Sequence, residues 1–246
     1  STLCRMDWNT SRTASRHFST CYQVMPNSGP YTIAIDGPSG TGKSSTAKEL
    51  AKRLNIDYLD TGAMYRCLSL RAKEAGIEPG DAQKLTPLAK TLEFLFPEPG
   101  VVILNGVDVS KAIRTPEVSG RVSADCAIPE VREELVERQR AYGLGRSCVL
   151  DGRDIGTVVF PNAKFKFYVD CDPRVRAKRR VAELVAMGHP TDYNDVLSNL
   201  LERDHLDSTR AVGPLRRAAD AIVIDTSDIS FEQQCERILS VVRAGI

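Results

Sequence analysis

Five short apolar runs, separated by longer stretches with helical periodicity, follow Pro30 along the chain. This alternation is typical of a parallel sheet wrapped by helices, so we predict an α/β fold with a five-stranded parallel core. Each run ends in aspartate, and ligands of such sheets bind beyond the carboxyl ends of the strands. The aspartates therefore indicate a site at one edge of the sheet. The predicted strands are 31–36, 56–60, 147–151, 164–170 and 221–225.

Six further stretches carry apolar residues at helical spacing, and most begin with a capping residue or a proline. Gly76, Gly143 and Gly188 stand where helices are expected to stop. The predicted helices are 43–54, 63–73, 130–142, 173–187, 194–207 and 231–243.

The segment from about 81 to 129 interrupts the alternation of strands and helices. It predicts a short helix and two apolar runs, 92–96 and 101–104, and the pair Asn105-Gly106 is a hairpin signal. We therefore expect a small inserted lobe with antiparallel strands.

Composition narrows the classes of function. With 33 basic and 32 acidic side chains, the formal charge of +1 argues against a broad basic face for duplex nucleic acid. No apolar run approaches the ~18 residues that span a bilayer, so no membrane partner is predicted. The seven cysteines are scattered without a C-x-x-C pair, which favours free thiols in a reducing compartment over disulfides or a zinc site.

The first 30 residues differ from the rest in composition. They hold three arginines and many serines and threonines but only one acid, Asp7, as organelle transit peptides do. An untranslated or cloning-derived segment and a disordered tail are the alternatives. We assign the fold to residues 31–246 and expect a cytoplasmic location, or an organelle matrix or stroma if the leader is a transit peptide.

A glycine-rich turn after the first predicted strand matches the phosphate-loop pattern G-x-x-x-x-G-K-[ST]. Glycines let backbone N–H groups converge on phosphate oxygens, the next helix directs its positive end there, and Lys43 adds a mobile charge. Ser44 would then bind Mg²⁺, although a glycine-rich turn without a ligand is the alternative. The candidate residues for the donor nucleotide are Gly37, Pro38, Ser39, Gly40, Thr41, Gly42, Lys43, Ser44 and Ser45.

Longer matches then carry a resemblance to a known family. The segments are IDGPSG at 35–40, LDTGAMYR at 59–66, IRTPEV at 113–118, DGRDIGTVVFP at 151–161 and ERD at 202–204, followed by Asp207 and Arg210. From Tyr31 onward the chain resembles bacterial-type cytidylate kinase, a phosphate-loop kinase. The resemblance implies transfer of phosphate from ATP, with Mg²⁺, to CMP or dCMP. It also implies that the insert at about 81–129 binds the monophosphate and that a helical lid spans about 187–210.

The resemblance assigns roles to individual residues. Arg66 and Arg153 would clamp the CMP phosphate, Tyr65 would form a wall of the nucleotide site, and Thr61 stands where many relatives have serine. Cytosine offers an amino donor where uracil has a carbonyl, so a carboxylate at Asp154 would select cytosine; a structural ion pair with Arg153 or another arginine is the alternative. The implied cytosine readers are Ser123, Arg132 and Asp154.

Charged residues on two later helices complete the candidate set. Arg203, Asp207 and Arg210 share one helix face by spacing, and the resemblance implies that the first two contact the sugar and that Arg210 reaches the phosphates. A solvated charged stripe is the alternative. The candidates for catalysis are Lys43, Arg153, Arg203 and Arg210. The resemblance also implies lid arginines at Arg176, Arg179 and Arg180, with Arg179 the candidate for ATP; an exposed run of charges is the alternative.

Two aspartates at strand ends are candidates for binding Mg²⁺ together with Ser44. Asp151 resembles the acid that holds the ion through water, and Asp36 could share the task. A strand-terminal aspartate can equally cap the next turn. Two other functions stay open beside CMP phosphorylation, namely a different acceptor such as UMP and an inactive nucleotide-binding protein. The resemblance implies a monomer, and no nucleic-acid partner is expected.

Overall fold

The structure, a computed structural model, describes residues 29–186 and 188–246. Most of the leader predicted for residues 1–30 lies outside the described residues, as does Met187, the predicted last residue of one helix. The elements are β1 (Thr32–Asp36), α1 (Lys43–Leu54), β2 (Asp57–Asp60), α2 (Thr61–Glu74), α3 (Ala82–Lys90), β3 (Phe94–Leu95), β4 (Ile103–Leu104), β5 (Val107–Asp108), α4 (Pro116–Asp125), α5 (Pro129–Gly143), β6 (Cys148–Gly152), β7 (Phe165–Asp170), α6 (Pro173–Ala186), α7 (Tyr193–Thr209), β8 (Ile222–Asp225) and α8 (Phe231–Gly245).

The five predicted strands form one parallel sheet in the order β2-β6-β1-β7-β8, which confirms the expected fold class. The sheet register decides which strand ends meet. Asp60 pairs with Asp151, and Asp36 pairs with Gly152 directly after it. Three of the five strand-end aspartates therefore gather at the carboxyl edge of the three strands β2, β6 and β1.

Two apolar layers cover the faces of this sheet. On one face α1 and α8 pack against the strands through residues such as Leu50, Phe167 and Ile238, all at most 1% exposed. On the other face α2 and α5 pack with the insert around Leu68 and Leu135. Burial of both faces explains why the strands appear as nearly continuous apolar runs rather than alternating ones.

The segment 81–129 contains the antiparallel sheet β3-β4-β5. Asn105 and Gly106 connect β4 to β5 and both have positive φ, 49° and 80°, as a tight hairpin turn requires. The segment also contains α4, which the hydrophobic pattern did not predict. Its start signal was present, because Thr115 accepts a hydrogen bond from Val118 N and Pro116 occupies the first turn.

Five cysteines lie among the described residues, and all are buried free thiols, as expected: Cys67, Cys126, Cys148, Cys171 and Cys235. Cys4 and Cys21 lie outside the described residues. Within the described ranges, no helix combines the length and the hydropathy that crossing a bilayer requires.

Candidate active site

The phosphate loop links β1 to α1 and is shaped by its glycines. Gly40 and Gly42 have φ of 78° and 86°, and a Cβ on Gly37 would come 2.1 Å from the Val169 carbonyl oxygen. Gly42 caps α1 without a side-chain hydrogen bond, so the first amides of the helix stay available to a ligand. The loop is therefore built as an anion cradle.

Replacing Gly37 with alanine should distort this cradle. The obstacle at 2.1 Å is backbone of β7 rather than a flexible side chain, and φ is 148°, so we expect a cost of roughly 1–3 kcal/mol and weaker ATP binding. Gly120→Ala is the matched control, because Gly120 is exposed inside α4 with open space around it and alanine there should stabilise by about 1 kcal/mol. Chemical denaturation and ATP titration of both variants measure these effects, and unchanged ATP affinity in Gly37→Ala would contradict this account of the loop.

Lys43 lies buried inside the loop. Its ammonium group donates to the Pro38 carbonyl oxygen and lies 3.4 Å from Thr41 Oγ1. Burial and the positive charge of Arg153 lower the pKa of Lys43 to about 7, while Asp151 opposes them. Ser44, next to Lys43, contacts Asp151, two residues before Arg153, so the donor loop lies near the acceptor-side arginine. A bound phosphate would favour the charged lysine.

Asp151 and Ser44, two of the three predicted Mg²⁺ ligands, contact each other directly. Ser44 Oγ donates to Asp151 Oδ2 at 2.6 Å, and Tyr58 OH donates to Oδ1 at 2.8 Å. Burial raises the pKa of Asp151, the negative charge of Asp60 adds to this, and the two hydroxyls and Lys43 oppose it. A carboxylate and a hydroxyl are the hard oxygen ligands that Mg²⁺ prefers.

Asp36 has a different role. Its two carboxylate oxygens accept hydrogen bonds from Ile155 N and Gly156 N, each at 2.7 Å, at the start of the helical turn Ile155–Val159. Burial raises the pKa of Asp36 to about 7, although these two amides oppose the shift. The contacts of Asp36 hold the chain after β6 against β1, and they give no support to its predicted share in metal binding.

Two predicted acceptor-side arginines contact the carboxylate of a third acceptor-side residue, Asp207. Arg153 Nε donates to Asp207 Oδ2 at 2.8 Å, and Arg210 Nη1 lies 3.4 Å from Oδ1. Arg203 lies near Arg153 and Asp207, and burial with the charge of Arg153 lowers its pKa. The structure therefore brings together Arg153, Arg203, Asp207 and Arg210, which come from the end of β6 and from α7 with the residue after it.

Several buried donors in this region have no hydrogen-bond partner. They are Tyr65 OH, Arg66 Nε, Arg132 Nε and Arg203 Nε. Buried polar groups in proteins are nearly always paired, so a cluster of unpaired donors indicates the place of a polar ligand. All four belong to residues that the sequence predicted to bind the acceptor nucleotide.

The three predicted cytosine readers lie on three elements. Arg132 of α5 pairs with Asp154, both are at most 5% exposed, and the guanidinium lies 5.3 Å from the centre of the Tyr65 ring. Asp154 thus pairs with Arg132, whereas Arg153 pairs with Asp207. Ser123 is half-buried in α4, where helical spacing puts it on the same face as Cys126.

The side chains of Thr61 and Arg179 both donate hydrogen bonds to backbone carbonyl oxygens. Thr61 Oγ1 donates to the Asp151 carbonyl oxygen at 2.7 Å and so joins α2 to β6. Arg179 Nη2 donates to the Thr226 carbonyl oxygen at 2.6 Å, and Thr226 Oγ1 donates to the Thr41 carbonyl oxygen at 3.3 Å. Arg179 of α6 therefore contacts the loop after β8, and that loop borders the phosphate loop.

Sequence reasoning missed Tyr58 and Gly213 in this region, and it did not foresee the contacts of Arg176, a predicted lid arginine. The hydroxyl of Tyr58 donates a hydrogen bond to Asp151. Residues two apart in a strand lie on the same face, so the position of Tyr58 in β2 could have shown that it shares a face with Asp60. Arg176, 2% exposed, donates to the Ser39 carbonyl oxygen at 3.0 Å and pairs with Asp204 of α7 at 2.7 Å. Gly213 lies against the Arg132–Asp154 pair, where a Cβ would come 2.2 Å from Asp154 Oδ2. The last two depend on long-range packing that spacing does not reveal.

Comparison with known proteins identifies the family. The family model "Cytidylate kinase" matches residues 33–244. A cytidylate kinase of Corynebacterium efficiens is 46% identical over 225 residues, covering 90% of this chain and 97% of that one. A cytidylate kinase of Mycobacterium leprae is 47% identical, covering 86% and 95%. An uncharacterized protein from Eubacterium ventriosum, 14% identical with a TM-score of 0.50 over 87% of this chain and 99% of that one, shares the fold. The chain belongs to the cytidylate kinase family.

Proposed function

We propose that this kinase transfers the γ-phosphoryl group of ATP to CMP or dCMP, giving ADP and CDP or dCDP. The observation that carries the proposal is the juxtaposition of the two halves of the site. Ser44 of the donor loop donates to Asp151, two residues before Arg153, and Arg153 is bonded to Asp207 among the acceptor-side residues. The buried Arg132–Asp154 pair stands on the acceptor side and has the donors and acceptors that a cytosine edge requires.

The chain's own residues would act by alignment and by charge stabilisation. The acceptor is already an anionic phosphate oxygen, so no general base is needed. The amides of the phosphate loop and Lys43 would hold the donor phosphates, and Arg66 and Arg153 would hold the acceptor phosphate against them. Catalysis then rests on fixing two anions in line and on neutralising the charge that develops between them.

We further propose that Ser44 and Asp151 hold Mg²⁺, in part through water. Both supply the hard oxygen ligands that this ion prefers, and they lie side by side where the start of α1 meets the end of β6. When bound, Mg²⁺ would supply neutralisation of the donor phosphates. Tyr58 would keep the Asp151 carboxylate oriented toward Ser44 through its hydrogen bond to the other oxygen.

Two parts of the chain would close the site. We assign the segment 81–129 to monophosphate binding and the segment 187–210 to the lid. Asp204 and Asp207 join α7 to Arg176 and Arg153, so the lid is bonded both to the donor side and to the acceptor side. Closure over both substrates would exclude water, the competing acceptor. The monomeric state that the family resemblance implies stays a prediction.

A coupled assay of ADP release over a panel of nucleoside monophosphates tests the proposal. CMP and dCMP should be preferred over UMP, AMP and GMP, and release should require Mg²⁺. Preference for a different acceptor would replace the proposed substrate, and ATP binding without ADP release for any acceptor would indicate an inactive nucleotide-binding protein. Size-exclusion chromatography with light scattering checks the monomer.

A further inference from the structure

Asp60, at the end of β2, collects more positive charge than it can neutralise. Its side chain is 7% exposed, and its carboxylate accepts from Arg66 Nη2 at 3.1 Å and 3.2 Å. A second guanidinium, that of Arg114, reaches the same carboxylate with Nη2 at 3.5 Å from Oδ2. Although burial opposes it, the charges of Arg66, Arg114 and Lys48 lower the pKa of Asp60. Two guanidinium groups therefore contact one carboxylate, which leaves an excess of one positive charge among these contacting groups.

Arg66 is the link between this cluster and the proposed acceptor site. Its Nε is buried without a hydrogen-bond partner, and its charge contributes to lowering the pKa of Arg203 across the site. An unpaired buried donor beside an excess of positive charge is the condition under which a phosphate is bound. The cluster around Asp60 therefore continues the acceptor-phosphate site rather than forming a separate one.

Arg114 differs from the other arginine of the insert. Arg121 is committed to the fold, because it bonds to Asp125 at 2.8 Å and to the Ile77 carbonyl oxygen at 2.8 Å. Arg114 is 45% exposed, and within the described part of the chain its long contact to Asp60 is the one hydrogen bond that its guanidinium makes. A guanidinium has five N–H donors, so most of those of Arg114 remain available to a ligand.

We propose that Arg114 is a third arginine for the phosphate of the acceptor nucleotide, supplied by the insert. This inference rests on the proposed function. Asp60 holds Arg66 and Arg114 beside each other, and a bound acceptor phosphate would take over part of their hydrogen bonding. Arg114 follows Ile113, which is fully buried in the same short turn, Ala112–Arg114. Phosphate binding would thus act on the insert as well as on the sheet edge.

The test separates a phosphate contact from a structural role by comparing CMP with cytidine, which lacks the phosphate. Dissociation constants for both are measured by calorimetry, or by competition where affinity is low, for Arg114→Ala, Arg114→Lys and the control Lys111→Ala. Lys111 is an exposed cation of the same turn. Charge-assisted hydrogen bonds contribute about 1.5–3 kcal/mol, so Arg114→Ala should weaken CMP roughly 10- to 100-fold and leave cytidine within about twofold. Arg114→Lys should lose part of the CMP affinity, and Lys111→Ala should lose none.

Any of the following three results would overturn the proposal. Equal losses for CMP and cytidine would show that Arg114 only shapes the insert, and unchanged CMP affinity in a folded Arg114→Ala protein would show that it does not reach the phosphate. If Arg114→Ala raised KM for ATP by the same factor as it weakened CMP binding, the effect of Arg114 would lie on the donor side of the site. Failure of the proposed function is distinguishable, since then the unaltered protein itself would not phosphorylate CMP.

Discussion

Arg153→Ala should lower kcat/KM for CMP by on the order of 10³-fold, because one side chain serves three parts of the site. Its guanidinium would bind the acceptor phosphate with two N–H groups, and its charge acts on Lys43 in the donor loop. Its Nε also donates to Asp207 of the lid helix at 2.8 Å. Arg153→Lys keeps the charge but not the planar fork, so it should recover only part of the loss. Steady-state kinetics with both substrates varied measures the effect.

The matched control for Arg153 is Arg146→Ala. Arg146 pairs with Asp57 at 3.1 Å, at the opposite end of β2 from the site, and both side chains are about half exposed. An exposed pair of this kind contributes about 0–1 kcal/mol, so the control should keep full activity. Thermal unfolding of both variants shows whether they remain folded. CMP phosphorylation at the unaltered rate by folded Arg153→Ala would remove Arg153 from the site.

Asp154→Asn should reduce the preference for CMP over UMP by roughly 10- to 100-fold. A carboxylate accepts from the amino group of cytosine and repels the carbonyl of uracil, whereas an amide can also donate and so tolerates uracil. Asp154 is bonded to Arg132 and both are buried, so the carboxylate is held in one orientation. The measurement is the ratio of kcat/KM for the two substrates, with KM for ATP expected to stay unchanged.

A second buried acid provides the control for Asp154. The control is Asp125→Asn: Asp125 is fully buried and pairs with Arg121 at 2.8 Å within the insert, and neither residue is a candidate for contacting the nucleotide. Replacing either aspartate removes the negative charge that pairs with a buried arginine, so both variants should lose stability, by up to 3–5 kcal/mol. Only Asp154→Asn should change the substrate ratio. An unchanged ratio in folded Asp154→Asn would mean that the pair serves stability and not base selection.

Local chemistry explains why much of the fold was predictable. The phosphate loop, the hairpin at Asn105-Gly106 and the bounds of α1 depend on residues adjacent in sequence, since glycine conformations and helix starts are set within a few residues. The buried strands were predicted to within about a residue, because a sheet covered on both faces requires uninterrupted apolar runs. The helix α4 was missed although Thr115 and Pro116 marked its start.

The partners of the site residues depended on the tertiary structure. Asp36 and Asp151 both end a buried strand, but the register gives one to backbone amides and the other to Ser44 and Tyr58. The pairing of Arg132 with Asp154, and of Arg153 with Asp207, joins residues 22 and 54 positions apart. Such pairs exist only after helices have packed on the sheet.

By itself, the sequence determined that this protein has a parallel sheet with a phosphate loop and belongs among the cytidylate kinases, because those properties are encoded in contiguous segments. Only the tertiary structure decided which charges neutralise one another and which buried donors remain unpaired. The reason is physical: the electrostatic energy of a charge depends on its burial and on its neighbours in space.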